Sequence, residues 1–233
     1  MPKEISNSIY SLYGRFYDAG QFLFRKRLQK AILSLPFNRD DRVLDVGVGT
    51  GLSLNFYPDD VHVTGIDLCP AMLAQARRKM ANKSARRHAA NGSTHLLQAD
   101  ALNLPFPDGS FDTVFLSHLI STVPNPQRCL AEAFRVAKAH AHLVIVNHFR
   151  SPLPVLSWIE TAIDPLCRKL GWRSDLSLQE LLAPAGVENL HLAPQTPGFL
   201  FRIVYLEKSH QTLRLARLPQ PLPAESEPTL DAA

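Results

Sequence analysis

Val43-Leu44-Asp45-Val46-Gly47-Val48-Gly49-Thr50-Gly51 decides the fold of this chain. A short apolar run enters a turn with glycine at every second position, which predicts a buried parallel strand followed by a strand–helix turn. Closely spaced glycines let a ligand approach the backbone where a Cβ would clash. In open α/β sheets such a ligand lies at the carboxyl ends of the strands. A dinucleotide fingerprint would need glycine at position 52, and Leu52 stands there. The glycines alone therefore imply a nucleotide-like ligand.

Working outward, residues 52–57 predict the start of a helix that Pro58 and Asp59-Asp60 stop. Residues 61–66 predict a second strand, with Asp67 at its end, where a carboxylate can accept both hydroxyls of a ribose. Residues 70–80 predict a helix with proline in its first turn. The polar, basic stretch 82–93 reads as a loop. Residues 96–99, 111–117 and 143–147 predict strands, and 127–138 a helix. Residues 152–185 are expected to be mostly helical, punctuated by prolines at 154, 165 and 184, before strand-like runs at 187–192 and 199–206. Alternating β and α units imply a mainly parallel sheet covered by helices.

The ends of the chain differ from this core. Residues 3–18 carry Ile5, Ile9, Leu12, Tyr13 and Phe16 at helical spacing, which predicts an N-terminal amphipathic helix. The chain has a net charge of +4, and residues 1–30 carry all of it, with six cations against two acids. A basic, partly apolar start on a neutral body suits an anionic surface, and on charge alone either phospholipid or nucleic acid qualifies. From about Thr212 the chain is rich in Pro, Glu and Ala and is expected to be disordered. The expected organisation is residues 1–36 as N-terminal helices serving membrane contact or a lid, 37–210 as the α/β domain and 211–233 as a tail.

At 233 residues, 45% hydrophobic and 20% charged, the composition is that of an ordinary globular chain. No stretch reaches the roughly 18 uncharged apolar residues of a membrane span, and no secretory signal is visible. Cys69, Cys129 and Cys167 are far apart and odd in number, which suits neither a disulfide framework nor a zinc site. A cytoplasmic compartment and no metal are expected. The absence of an RNA-recognition motif or zinc module argues against a nucleic-acid partner.

The Gly47-Val48-Gly49-Thr50-Gly51 loop paired with Asp67 resembles motifs I and II of class I S-adenosylmethionine-dependent methyltransferases. Leu68-Cys69-Pro70-Ala71-Met72-Leu73 resembles the segment beside the adenine, and Gln98-Ala99-Asp100-Ala101 the motif whose Asp bonds the adenine amino group. Pro105-Phe106-Pro107-Asp108-Gly109-Ser110-Phe111-Asp112 resembles the lead-in to the fourth strand, after which Ser117-His118 falls near the expected methyl group. The resemblance implies a Rossmann-like fold with a mainly parallel seven-stranded sheet and helices on both faces. It implies S-adenosyl-L-methionine as cofactor, S-adenosyl-L-homocysteine as product, and a cofactor site of Asp45, Gly47, Gly49, Gly51, Asp67, Leu68, Met72, Asp100, Ala101 and Ser117.

Four further segments resemble bacterial phospholipid N-methyltransferases of the phosphatidylethanolamine type. They are Tyr10–Asp18, the Leu52-Ser53-Leu54 continuation of the loop, Val144-Ile145-Val146-Asn147-His148-Phe149, and Leu170-Gly171-Trp172-Arg173-Ser174-Asp175. That resemblance implies N-methylation of a phospholipid headgroup by a protein peripherally bound to the cytoplasmic face of a membrane through its basic N-terminal helices. A quinone precursor or another small lipophilic acceptor is the alternative. Tyr17, His118 and His148 are candidates for the methyl-transfer pocket, since an ammonium acceptor must lose a proton before it attacks. Arg150 and Arg173 are candidates to bind the lipid phosphate, with a surface salt bridge as the rival role for each. Tyr13 is a candidate for lipid contact, either at the substrate or in the membrane-facing stripe.

Overall fold

A computed structural model describes residues 25–183, 202–209 and 212–215. Residues 25–33 are helical and form α1. The strand β1 (Arg42–Val46) leads through the glycine loop into a single 3-10 turn, Ser53–Asn55. Then follow β2 (His62–Asp67), α2 (Pro70–Ala89), β3 (Ser93–Gln98), β4 (Phe111–Ser117), α3 (Pro126–Val136) and β5 (Ala137–Asn147). The helices α4 (Pro154–Lys169) and α5 (Leu178–Leu182) and the strands β6 (Arg202–Ser209) and β7 (Thr212–Leu215) complete the described chain.

The sheet order is β3-β2-β1-β4-β5-β6-β7. The strands β1 to β5 run parallel, and β6 and β7 run antiparallel to their neighbours. From β1 the chain builds outward to β2 and β3, then returns to place β4 on the other side. The carboxyl ends of β1 and β4 therefore flank the topological switch point, where such sheets open a crevice.

Alternation along the strands builds two apolar layers, because successive side chains leave opposite faces. On one face Leu44, Val46, Val114, Leu116, Leu143, Ile145, Val204 and Leu206 pack with α3 and α5 residues such as Leu130, Ala133, Leu181 and Leu182. On the other face Val43, Phe115, Val144, Val146, Ile203 and Tyr205 pack with Leu28 and Ile32 of α1 and Leu73 and Met80 of α2. The result is a mixed α/β Rossmann-like sheet with helices on both faces.

The structure redraws several expected boundaries. Six strands lie on runs that the sequence marks, and β5 begins at Ala137, where the sequence predicts helix to residue 138. The expected helix at 52–57 is only the Ser53–Asn55 turn. The helix α2 continues through residues 82–89, which the sequence reads as loop. Ala, Lys and Arg are good helix formers, and their propensity outweighs the missing apolar period. The strand Thr212–Leu215 pairs with β6 inside the stretch expected to be tail. The N-terminal amphipathic helix at 3–18, with Tyr13 and Tyr17, and the run 187–192 lie outside the described residues.

Candidate functional site

The loop after β1 is pinned from below and open above. The Gly47 and Val48 amides both donate to the Ile66 carbonyl at 2.8 Å, which ties the loop to the end of β2. Gly47 has φ +74°, and a Cβ there would lie 2.9 Å from Leu119 Cδ1. Gly49 has φ +55°, and a Cβ there would meet nothing closer than the Gly47 carbonyl at 4.0 Å. Glycine at 47 is thus favoured by its left-handed backbone with Leu119 close by, whereas Gly49 borders open space. Gly51, at φ +79°, lets the loop rest on Ala76 of α2.

Asp67 closes the side of this cradle. Its Oδ2 accepts the Gly49 amide at 2.9 Å and its Oδ1 the Cys69 amide at 2.8 Å. Each carboxylate oxygen retains a lone pair for a hydroxyl donor, so both ribose hydroxyls can be accepted. Burial pushes the Asp67 pKa up, against the opposing effect of the Cys69, Gly49 and Leu68 amides. Leu68 is 54% exposed, an apolar surface beside the carboxylate, and Met72 is buried. The Ala99 amide donates to the Asp67 carbonyl at 3.2 Å and the Gln98 side chain to the Leu68 carbonyl at 3.1 Å. These bonds bring the Asp100-Ala101 turn next to Leu68. Asp100 is exposed and caps that turn through the Leu102 amide at 2.9 Å.

Asp45 is fully buried under the loop. Its Oδ2 accepts the Ser53 hydroxyl at 2.6 Å and the Tyr57 hydroxyl at 3.0 Å. Its Oδ1 has no hydrogen-bond partner among the described residues. Burial pushes the Asp45 pKa up to about 6, and the Ser53 and Tyr57 hydroxyls oppose that rise. A buried carboxylate oxygen without a donor costs stability unless a ligand supplies one. The amino group of S-adenosylmethionine is such a donor, so the residues present fit the cofactor: Asp45 for its amino group, Asp67 for its ribose, Leu68 and Asp100 for its adenine, and Gly49 for close approach. The pairing of Ser53 and Tyr57 with Asp45 is absent from the sequence reading, where Ser53 stands only as part of Leu52-Ser53-Leu54.

Ser117 and His118 end β4 at the switch point. His118 has φ +53°, and its amide donates to the Val146 carbonyl at 2.7 Å. Burial, reinforced by the Arg27 charge, lowers the His118 pKa to about 4. Its imidazole is therefore neutral across the neutral pH range. Asn147 and His148 follow on the adjacent strand. The Ser121 hydroxyl donates to Asn147 Oδ1 at 3.3 Å, and Asn147 Nδ2 to the His148 carbonyl at 2.7 Å.

His148 is buried and engaged. Its Nε2 lies 3.1 Å from the Ser174 carbonyl and 3.5 Å from Glu160 Oε1, and its ring packs edge-on against Trp172 at 5.9 Å. That environment makes it a strut between β5 and the segment after α4. Arg150 faces Glu180 at 3.9 Å, and Arg173 contacts Asp175 at 3.1 Å. Both arginines hold partly exposed ion pairs, the rival role the sequence leaves open for them. The site thus brings together Asp45, Gly47, Gly49, Asp67, Leu68 and Asp100 around the loop, with Ser117 and His118 across the switch point. His148 and Arg173 stand behind the β4–β5 ends and are held by α4 and the segment that follows it. Among the described residues no cluster of His, Cys, Asp and Glu could hold a metal ion.

A family model described as a methyltransferase domain matches residues 44–145. The phosphatidylethanolamine N-methyltransferase of Cereibacter sphaeroides is 40% identical over 170 residues, covering 73% of this chain and 81% of that protein. The demethylmenaquinone methyltransferase of Thermus thermophilus is 35% identical over 141 residues, covering 59% of this chain and 60% of that protein. The crystal structure of a S-adenosylmethionine-dependent methyltransferase from Methanosarcina mazei superposes with a TM-score of 0.58 at 23% identity, over 74% of this chain and 94% of that one. At that identity the likeness shows the fold.

Proposed function

The chain belongs to the class I S-adenosylmethionine-dependent methyltransferases, and we propose that it N-methylates phosphatidylethanolamine and its mono- and dimethylated forms toward phosphatidylcholine at a membrane surface. One observation carries the choice of acceptor: identity of 40% extends over 81% of the Cereibacter enzyme, against 35% over 60% of the Thermus one. Methylation of a quinone precursor is the second reading, favoured by the Thermus relative.

The cofactor, when bound, supplies a methyl group already activated on a sulfonium. The protein's task is then alignment. Asp45 and Asp67 fix the two ends of the cofactor, and the crevice at the ends of β1 and β4 admits the amine. The acceptor nitrogen needs a free lone pair, so its proton must leave before attack. Neutral His118 can accept a hydrogen bond from the amine and orient it. With a pKa near 4 it does not keep the proton, which passes on to water. In this account Tyr17 and Tyr13 are the N-terminal candidates for contact with the acceptor, and Arg150 and Arg173 exchange their carboxylate partners for the lipid phosphate.

Expression in a bacterium whose membranes contain phosphatidylethanolamine but no phosphatidylcholine tests the reading. Mono-, di- and trimethylated headgroups should accumulate in the lipid extract. Unchanged phospholipids, with soluble protein that binds the cofactor, would move the assignment to the quinone reading.

A further inference from the structure

Helix α4 is amphipathic with its polar side turned inward. Its two acids point into the protein: the Glu160 and Asp164 side chains are only 13% and 8% exposed. Glu160 accepts the Ser151 amide at 2.7 Å. Asp164 accepts the Ser174 amide at 2.9 Å and pairs with Arg168. The apolar side faces solvent. Val155 is 72% exposed, Trp158 73% and Leu166 62%, with Ile159, Ile163 and Leu170 exposed beside them. Positions 155, 158, 159, 162, 163, 166 and 170 recur at helical spacing, so they share one face. Scattered exposed apolar residues are ordinary, but a contiguous stripe of this kind marks a surface that something covers.

Charge and place select what covers it. No exposed carboxylate interrupts the stripe, because both acids of α4 are consumed inside. Lys169 is exposed at the end of the helix; Arg168 is half exposed and shared between Asp164 and Asp175, and Arg150, just before the helix, faces Glu180. An exposed tryptophan on an apolar face flanked by cations is the composition of a helix lying in the interface of an anionic bilayer. The helix also sits at the cofactor end of the sheet. It follows the carboxyl end of β5 within a few residues, and the segment after it bonds back through the Arg173 amide to the Ser121 carbonyl at 2.8 Å, beside the end of β4. We propose that the outward face of α4 docks on an anionic phospholipid bilayer and lays the methyl-transfer crevice against the headgroup layer. The choice of occupant rests on the phospholipid reading of the active site. The docking face belongs to Pro154–Lys169, a different stretch of sequence from the basic residues 1–30.

The full chain carrying Trp172→Phe leaves Trp158 as the sole tryptophan and reports the contact. The vesicles contain phosphatidylglycerol and phosphatidylcholine, so docking is read without the methyl acceptor. Trp158 emission should move to shorter wavelength on these vesicles and be quenched by brominated acyl chains. In the otherwise native chain, Trp158→Ser with Leu166→Ser should lower vesicle co-sedimentation at least tenfold. Cofactor binding and methylation of detergent-dispersed phosphatidylethanolamine should stay within twofold. Emission unchanged by vesicles, with co-sedimentation unaffected by the double variant, would overturn the proposal. A blue shift without vesicles that grows with protein concentration would instead assign the face to a second copy. A vesicle-free shift abolished by removing residues 1–24 would assign it to the chain's own N-terminal segment. Docking without methylation of phosphatidylethanolamine would sink the acceptor reading and leave α4 standing; methylation in detergent without docking would do the reverse.

Discussion

The two sides of the switch point solve opposite problems. On the β1–β2 side the polar groups converge on the glycine loop: Asp67 holds two backbone amides, and Asp45 holds two hydroxyls with one oxygen left over. On the β5–α4 side the polar groups are spent within the protein, and apolar surface is left outside. The first side is built to recognise one small charged molecule. The second is built to be rigid and to present a surface. Changes to the ligand-facing groups of the first side should therefore alter cofactor affinity, changes to the loop's own packing should alter stability, and changes on the second side should alter stability or lipid contact.

Gly47→Val should have the largest effect. It forces a β-branched residue to φ +74° and drives a Cβ to 2.9 Å from Leu119. Backbone strain of about 1–3 kcal/mol and overpacking of similar size should show as a large fall in Tm. Asp67→Ala comes next. It removes the ribose acceptor and two charge-assisted bonds, each worth about 1.5–3 kcal/mol. Calorimetry should find cofactor binding weakened about 100-fold or more; an unchanged Kd would break the ribose assignment.

Asp45 gives the pH dependence. Its pKa is about 6 in the fold against the ordinary aspartate value of 3.8, a difference of roughly 3 kcal/mol against ionisation. Between those pH values the folded chain holds a proton that the unfolded chain has lost. Asp45 therefore makes the ligand-free fold more stable as pH falls from above 6 toward 3.8. Cofactor affinity runs the other way, because its amino group needs the ionised carboxylate. It should fall about tenfold per pH unit below about 6. Tyr57→Phe removes a hydroxyl that favours the ionised form and should move that midpoint upward.

The two histidines separate the sides of the site most cleanly. His148→Ala should cost about 2–3 kcal/mol of stability, as a buried ring with a hydrogen bond and an aromatic contact is removed. Its cofactor affinity should not change. His118→Ala should lower kcat and leave Tm within a degree or two. Because the His118 pKa is near 4, the wild-type rate should show no His118 limb between pH 6 and 8. The smallest effects belong to Arg150→Ala and Arg173→Ala. Partly exposed ion pairs contribute about 0–1 kcal/mol, so only KM for lipid should rise.

The β1–β2 side was legible in the sequence because its chemistry is local. Gly47, Gly49 and Gly51 lie within five residues, and Asp67 closes a strand whose apolar period is plain. The Asp45–Tyr57 bond was not legible, since a tyrosine beyond a short 3-10 turn carries no mark of the carboxylate it meets. The α4 region hid its role for another reason. Its period identifies a helix but does not say which face turns outward, and the usual expectation of apolar-inward is reversed by Glu160 and Asp164. Pro165 reads as a breaker, yet it sits inside α4. The strand at Thr212–Leu215 lay in a stretch whose composition suggests disorder, and pairing with β6 overrides that preference.

Acceptor choice is the central claim, and a competition assay measures it most directly. Purified full chain is given methyl-labelled S-adenosylmethionine with vesicles containing both phosphatidylethanolamine and a demethylated quinol. The account predicts label in mono-, di- and trimethylated phospholipid and none in the quinol. Label in the quinol alone would contradict it.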